Sequence, residues 1–362
     1  MRHAVGTPML FEAAADLLVE AVHFSQDHEQ HQALIMCIVP HVLQLLPAYE
    51  KAVIDEDEDV ARALCRIFAE MGEQYMSLIL QHPQQWALPV AGAVLRGASH
   101  PEPEVAEITF NFWFVLSNEI AGTGKMLTEV QRDECRRLFA PVFLQLVDSL
   151  RHLVEFPEGS EEWTTDAQDD FKRFRFSVGD AINDSCQVTT SVAVIEQLFV
   201  GLQAALPVFM SSPADNWRRI EAFIFCLRQS GSKDPSFYKA GRVGELLQLL
   251  PTLPAVGTHA DWLNMNPELL PKLLGFVSQG LTQNKTAAAS SQAIKFLCEK
   301  CAEHLAEEAT MQQLLQMYLG TLQLQLDTVD RVDLVAALSF VVGQMPLPQH
   351  GFKKGCKMAL RL

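Results

Sequence analysis

Apolar residues recur along this chain at helical spacing, and strict apolar–polar alternation is nearly absent. His100–Ile120 shows the pattern most sharply. Val105, Ile108, Phe112, Val115 and Leu116 fall on one stripe, while Phe110, Trp113 and Phe114 lie off it. A helix apolar over so much of its circumference is expected to be buried on more than one side. Pro101 and Pro103 stiffen its approach, Glu102 and Glu104 suit the positive end of a helix, and Gly122 and Gly124 break it. The pattern predicts a doubly buried helix, the inner member of a stacked helix pair.

The same plan repeats. Leu10–Phe24 reads as a helix through Phe11, Ala14, Leu17, Leu18 and Ala21. Gln30–Val53 follows, with a kink expected at Pro40, then Val60–Leu80 and Trp86–Arg96. Thr128–Val154 is a long amphipathic helix opened by a Thr128/Gln131 capping box, with Pro141 predicting a bend. After a polar loop over Phe156–Asp166, a helix begins near Asp169 with Phe171, Phe174, Val178 and Ile182 inward. Thr190–Leu206, Asn216–Arg228, Val243–Leu250, Glu268–Leu281, Thr286–Leu305, Met311–Leu324 and Val329–Gly343 continue the series, with a last segment through Leu362. Pro254–Asn266 reads as irregular, with one weak turn at Trp262. Helix pairs recur at roughly 40 to 45 residues, about eight in all, the period of HEAT or armadillo repeats. A single pair cannot bury its own faces, so neighbours are expected to stack into an all-α solenoid with outer and inner layers.

Composition narrows the function. The 362 residues are 49% hydrophobic, enough for a large core, and carry 44 acidic against 28 basic residues for a net charge of −16. That balance argues against a nucleic-acid surface and suits a basic protein partner. The eight cysteines mostly fall on apolar helical faces, as reduced buried thiols do. Neither a signal peptide nor a membrane span is expected.

Few motifs suggest chemistry. Gly122-Thr-Gly-Lys125 resembles part of a phosphate loop, but Glu119 and Met126 stand where the full pattern needs Gly and Ser or Thr. Cys298, Cys301 and His304 have metal-like spacing without a second ligand pair, and they share a helix face with Ile294, Leu297 and Leu305, so a core role is favoured. No acid and base converge, and neither catalysis, a cofactor nor a metal is expected. Two acidic groups stand out. Asp55, Glu56, Asp57, Glu58 and Asp59 form an unbroken run, and Glu161, Glu162, Asp166, Asp169 and Asp170 crowd one loop and helix start together with Glu155 and Glu158. Both are explained as solvated connectors and helix starts; a surface for a basic partner is the sharper alternative.

The stretch His-Pro-x-x-Glu-Val-x-Glu-Ile-x-Phe-Asn-Phe-Trp at His100–Trp113 resembles the transportin-3 and importin-13 branch of the importin-β nuclear transport receptors. Leu10–Leu18, Cys65–Phe68, Asp169–Arg175 with Val178 and Asp180, and Ala287–His304 are similar to other repeats of that family. The resemblance implies a HEAT-repeat import receptor, nuclear and cytoplasmic, that carries Arg/Ser-rich or other basic cargo, answers to Ran-GTP and touches Phe-Gly nucleoporins, with no direct nucleic-acid or membrane contact. Only the middle of such receptors is matched. Their N-terminal arch and the C-terminal arch with its arginine-rich helix have no counterpart, since Arg136-Arg137 and Arg218-Arg219 are only pairs. One repeat near 251–267 reads as partial. A HEAT scaffold or adaptor outside transport, or a truncated inactive product, is the alternative.

Overall fold

The computed structural model describes residues 8–81, 86–124, 126–230, 260–265, 267–282, 284–323 and 326–345. All regular elements among the described residues are helical. The chain divides into two compact units, residues 1–232 and 233–362.

The first unit holds α1 (Pro8–Phe24), α2 (His28–Leu43), α3 (Leu46–Ile54), α4 (Glu58–Gln74), α5 (Met76–Gln81), α6 (Leu88–Ala98), α7 (Pro103–Glu107), α8 (Phe110–Ala121), α9 (Glu129–Leu153), α10 (Thr165–Val188), α11 (Ser191–Ser211) and α12 (Pro213–Gln229). They form two layers. α2, α6, α9 and α11 pack in succession as one, and α1, α4, α7 with α8, α10 and α12 as the other. The second is the layer that the sequence pattern assigns as inner. Hydrogen bonds between successive repeats repeat the period: Asn111 to Glu73 spans 38 residues, Arg62 to Glu104 spans 42, Ser25 to Tyr75 spans 50 and Gln197 to Leu144 spans 53.

The α7–α8 segment is buried on two sides, as its pattern predicts. Val105, Phe112, Trp113, Leu116 and Ile120 are fully buried, and Trp113 meets Phe143 of α9 edge-on at 5.4 Å. It is not one helix, however. The chain turns at Ile108–Thr109, where the Thr109 hydroxyl donates to Ala106 O at 2.7 Å. Close approach to α6 accompanies the turn, because a Cβ on Gly97 would lie 2.8 Å from Thr109 Cγ2. Gly122 ends α8 in the left-handed region (φ 99°), its N–H donating to Asn118 O at 3.2 Å.

The expected kinked helix over Gln30–Val53 is broken outright after Leu43. Pro40 is accommodated within α2; Pro47 has no N–H to return to Leu43 O, so the ladder cannot continue past it. α9, by contrast, stays one helix through Pro141, and its Thr128/Gln131 capping box is present. α10 starts at Thr165, earlier than its apolar stripe, because the Thr164 hydroxyl accepts from Ala167 N–H at 3.3 Å. By length and composition alone, Gln30–Ile54 and Ser191–Phe209 are apolar enough to cross a membrane, a test that core helices also pass. Here the first is interrupted between α2 and α3, which pack on α4, and the second lies along α12.

The second unit contains α13 (Ala260–Met265), α14 (Leu270–Gly280), α15 (Asn284–Lys300), α16 (Ala302–Leu305), α17 (Glu308–Thr321) and α18 (Thr328–Gln344). α14 pairs with α15 and α17 with α18, while α15 and α18 pack along each other and are bridged by Lys295–Asp333 at 2.7 Å. The predicted turn at Trp262 is the helix α13; the predicted helix Val243–Leu250, the rest of the partial repeat up to residue 259 and the segment beyond residue 345 lie outside the described residues.

Candidate functional site

The connectors that follow α6 and α9 lie side by side with the start of α12, and between them opens a groove of about 1550 Å³. Its walls follow from the two layers. Glu102, Glu104 and Glu107 come from α7 and its approach, Asp148 and His152 from the end of α9, Glu155 and Glu158 from the loop, and Asp170 from α10. Seven carboxylates therefore face three arginines, Arg173, Arg218 and Arg219.

Two aromatic anchors hold the acidic loop in place. Phe156 packs with tilted rings 5.2 Å from Phe171 and 5.7 Å from Trp217, and Trp163 meets Phe171 edge-on at 5.2 Å. Beneath Phe156 lies Arg175, only 7% exposed, with its guanidinium 4.7 Å from the Phe156 ring and 4.2 Å from that of Phe225. Arg175 also donates to both carboxylate oxygens of Glu221. Burial raises Glu221 above the usual carboxylate range despite this partner. A second buried arginine, Arg151, sits over Phe223 at 4.6 Å and pairs with Glu155. Burial, with Arg151 beside it, lowers His152 below the usual imidazole range. The two arginines join the aromatic floor to the acidic rim, and the rim's carboxylates are presented to solvent on a rigid base.

The acidic residues singled out from sequence are split by the fold. Asp170 lines the groove, and Glu162, Asp166 and Asp169 are exposed beside it; the backbone of Glu161 lies in the short 3-10 turn at Ser160–Glu162. Asp169 and Asp170 each pair with a basic residue three positions on, Lys172 and Arg173. None of Asp55, Glu56, Asp57, Glu58 and Asp59 lines the groove. They build a helix junction instead. Glu56 takes a left-handed φ of 56°, Asp57 accepts from Val60 N–H at 3.2 Å as the cap of α4, and Glu58 and Asp59 occupy its first turn. Glu102, Glu104, Glu107 and Asp148 were not legible as site residues, because only the packing of α6 against α9 and of α7 against α10 brings them to the loop.

The remaining motifs resolve into structure. Gly124 could not cradle a phosphate, since a Cβ there would meet the Glu119 carboxylate, which accepts from Met126 N–H at 2.9 Å. Lys125 lies outside the described residues. Cys298 and Cys301 are fully buried, Cys301 Sγ donates to Ala260 O at 3.4 Å, and the His304 ring contacts Asn264 O at 2.9 Å. Burial pushes the Cys298 thiol up to about 12, as expected of a core cysteine.

Residues 56–152 match the family profile described as the Transportin-3/Importin-13 second TPR domain, and residues 251–317 match the third. The chain is 27% identical to Transportin MOS14 of Arabidopsis thaliana over 371 residues, 94% of this chain and 38% of that protein. It is 24% identical to the mRNA transport regulator MTR10 of Saccharomyces cerevisiae, covering 93% of this chain and 35% of the relative. Human Importin-13 is 21% identical over 81% of the chain and 32% of its own length. The solved structure titled "Importin13 cytosolic state" superposes with a TM-score of 0.69 at 16% identity, covering 96% of this chain and 46% of that one, and shows the shared all-α HEAT-repeat solenoid fold. The chain thus spans about a third of the length of these curated relatives. Two domain profiles of the transportin-3/importin-13 family matched in their family order, on a fold shared with an importin, are what this chain has in common with those receptors.

Proposed function

We propose that this chain is the central scaffold section of a nuclear import receptor, shuttling between cytoplasm and nucleus, which holds basic protein cargo, Arg/Ser-rich segments among them, and releases it to Ran-GTP. The reading assigns it no catalysis and no cofactor. One observation carries the proposal: seven carboxylates and an aromatic floor share one open groove of about 1550 Å³. Basic side chains would pair with Glu102, Glu104, Glu107 and Asp148; Glu162, Asp166, Asp169 and Asp170 would extend the acidic rim, and Glu161 is assigned to the same partner from its place in the sequence alone. Asp55, Glu56, Asp57, Glu58 and Asp59 form a separate acidic patch at the start of α4. Many moderate charge pairs give fast, salt-sensitive association, which suits cargo that must later be released.

Titrating the chain with a fluorescent Arg/Ser peptide, then adding Ran-GTP and, separately, Phe-Gly repeat peptides, tests this. Salt-sensitive peptide binding reversed by Ran-GTP supports the receptor reading. An absence of binding to all three favours a scaffold outside transport.

A further inference from the structure

Beside the groove two stripes face each other. Glu107, Phe110, Asn111 and Phe114 fall at i, i+3, i+4 and i+7 along α7 and α8, and Ser177, Asp180, Ala181 and Asp184 do so along α10; together they line a depression of about 400 Å³. Glu107 belongs both to this depression and to the groove.

Three carboxylates and no basic side chain line it. Phe114 is 52% exposed, although Phe112 and Trp113 on the same helix are fully buried. Core packing accounts for those two rings and leaves the third unexplained. The Phe110 ring is held by stacking on Phe174, with centroids 6.2 Å apart. Burial, and then the charge of Asp180, push Asp184 up to about 6, and burial together with Glu104 raises Glu107. Carboxylates crowded and partly desolvated in this way are relieved by an incoming cation.

Arginine and lysine would use such a pocket differently. A guanidinium lies flat on an aromatic face and donates two parallel N–H groups to one carboxylate, whereas an ammonium is a strongly hydrated point charge. We infer that the depression between α8 and α10 takes one arginine side chain of a bound basic segment, stacked on Phe114 and paired with Asp184 and Asp180, so that arginine is preferred to lysine there. This rests on the groove reading: a segment lying in the groove reaches the pocket past Glu107.

Two peptides of equal length and charge, one Arg-Ser and one Lys-Ser, are titrated against the chain and against Phe114→Ala and Asp184→Asn, with circular dichroism checking each variant's fold. The wild-type chain should bind the arginine peptide roughly five-fold more tightly, the ratio that one stacked, bidentate contact of about 1 kcal/mol gives. Both variants should bring the ratio close to one while still binding the lysine peptide. Equal wild-type affinities, or a preference unchanged in both variants, overturns the pocket and leaves the groove reading standing. If neither peptide binds the wild-type chain, both fall.

Discussion

Arg175 on α10 donates from Nη2 to both carboxylate oxygens of Glu221 on α12, at 2.7 and 2.9 Å, and so joins two successive repeats across 46 residues. The same guanidinium supports Phe156, the anchor of the acidic loop. One side chain therefore couples repeat stacking to the presentation of the groove.

Glu221→Ala should cost roughly 2 kcal/mol in urea denaturation of the full chain, because it leaves a buried guanidinium without its carboxylate; it stays below the range for a fully buried pair since Glu221 is 36% exposed. Arg175→Lys should also destabilise, since an ammonium cannot hold both oxygens while stacking on Phe156 and Phe225. Wild-type stability in both variants would show that packing alone joins α10 to α12.

Asp184 shares its depression with Asp180 and Glu107, and its pKa is raised from 3.8 to about 6. The folded chain then holds a proton that the unfolded chain has released. Asp184's contribution is fully present below about pH 4 and is lost as pH rises through about 6. Asp184→Asn should remove that slope and raise stability at pH 7 by about 1 kcal/mol, much less than a fully buried group would give because the carboxylate is partly hydrated. Denaturation curves at pH 4.5 and 7 in both proteins check the sign.

At the junction of α4 and α8, a Cβ on Gly72 would lie 2.7 Å from the Phe112 ring. Gly72→Ala should cost about 1–3 kcal/mol, because both sites are fully enclosed. Combining it with Phe112→Leu should cost less than the sum of the two single changes, a coupling that a double-mutant cycle reads directly. Strict additivity would argue against that close approach.

Cys65, Cys135, Cys226, Cys298 and Cys301 are buried and Cys37 is exposed. Burial pushes Cys65, Cys226 and Cys298 each up to about 12. Alkylation of the native chain at pH 8, mapped by mass spectrometry, should label Cys37 within minutes and leave those five until unfolding. Rapid labelling of Cys298 or Cys301 would contradict their place in the core.

Helix periodicity, the Thr128 capping box and the Gly122 stop were legible in the sequence because each depends on residues within a few positions of one another. The turn at Ile108–Thr109 was not, since the apolar stripe runs unbroken across it and the close approach of Gly97 comes from another helix. The same limit applies to the site. Acidic residues adjacent in sequence were visible, but Asp55–Asp59 form a helix junction, while Glu102, Glu104, Glu107 and Asp148 reach the groove only through stacking. Resemblance to receptor repeats marked Phe171 and Arg175 without indicating that they hold the acidic loop. Pairs such as Arg62–Glu104 and Arg175–Glu221, 42 and 46 residues apart, need the repeat register before either partner can be assigned.

Charge reversal in the groove tests the central claim most directly. The affinity of an Arg/Ser peptide would be measured at two salt concentrations for the wild-type chain, for the triple variant Glu102→Lys, Asp148→Lys, Glu158→Lys, and for a control reversing Asp55 and Asp59. The groove reading predicts at least a roughly ten-fold loss in the triple variant, a shallower salt dependence, and little change in the control. Wild-type affinity in the triple variant, or a larger loss in the control, would place the basic partner elsewhere.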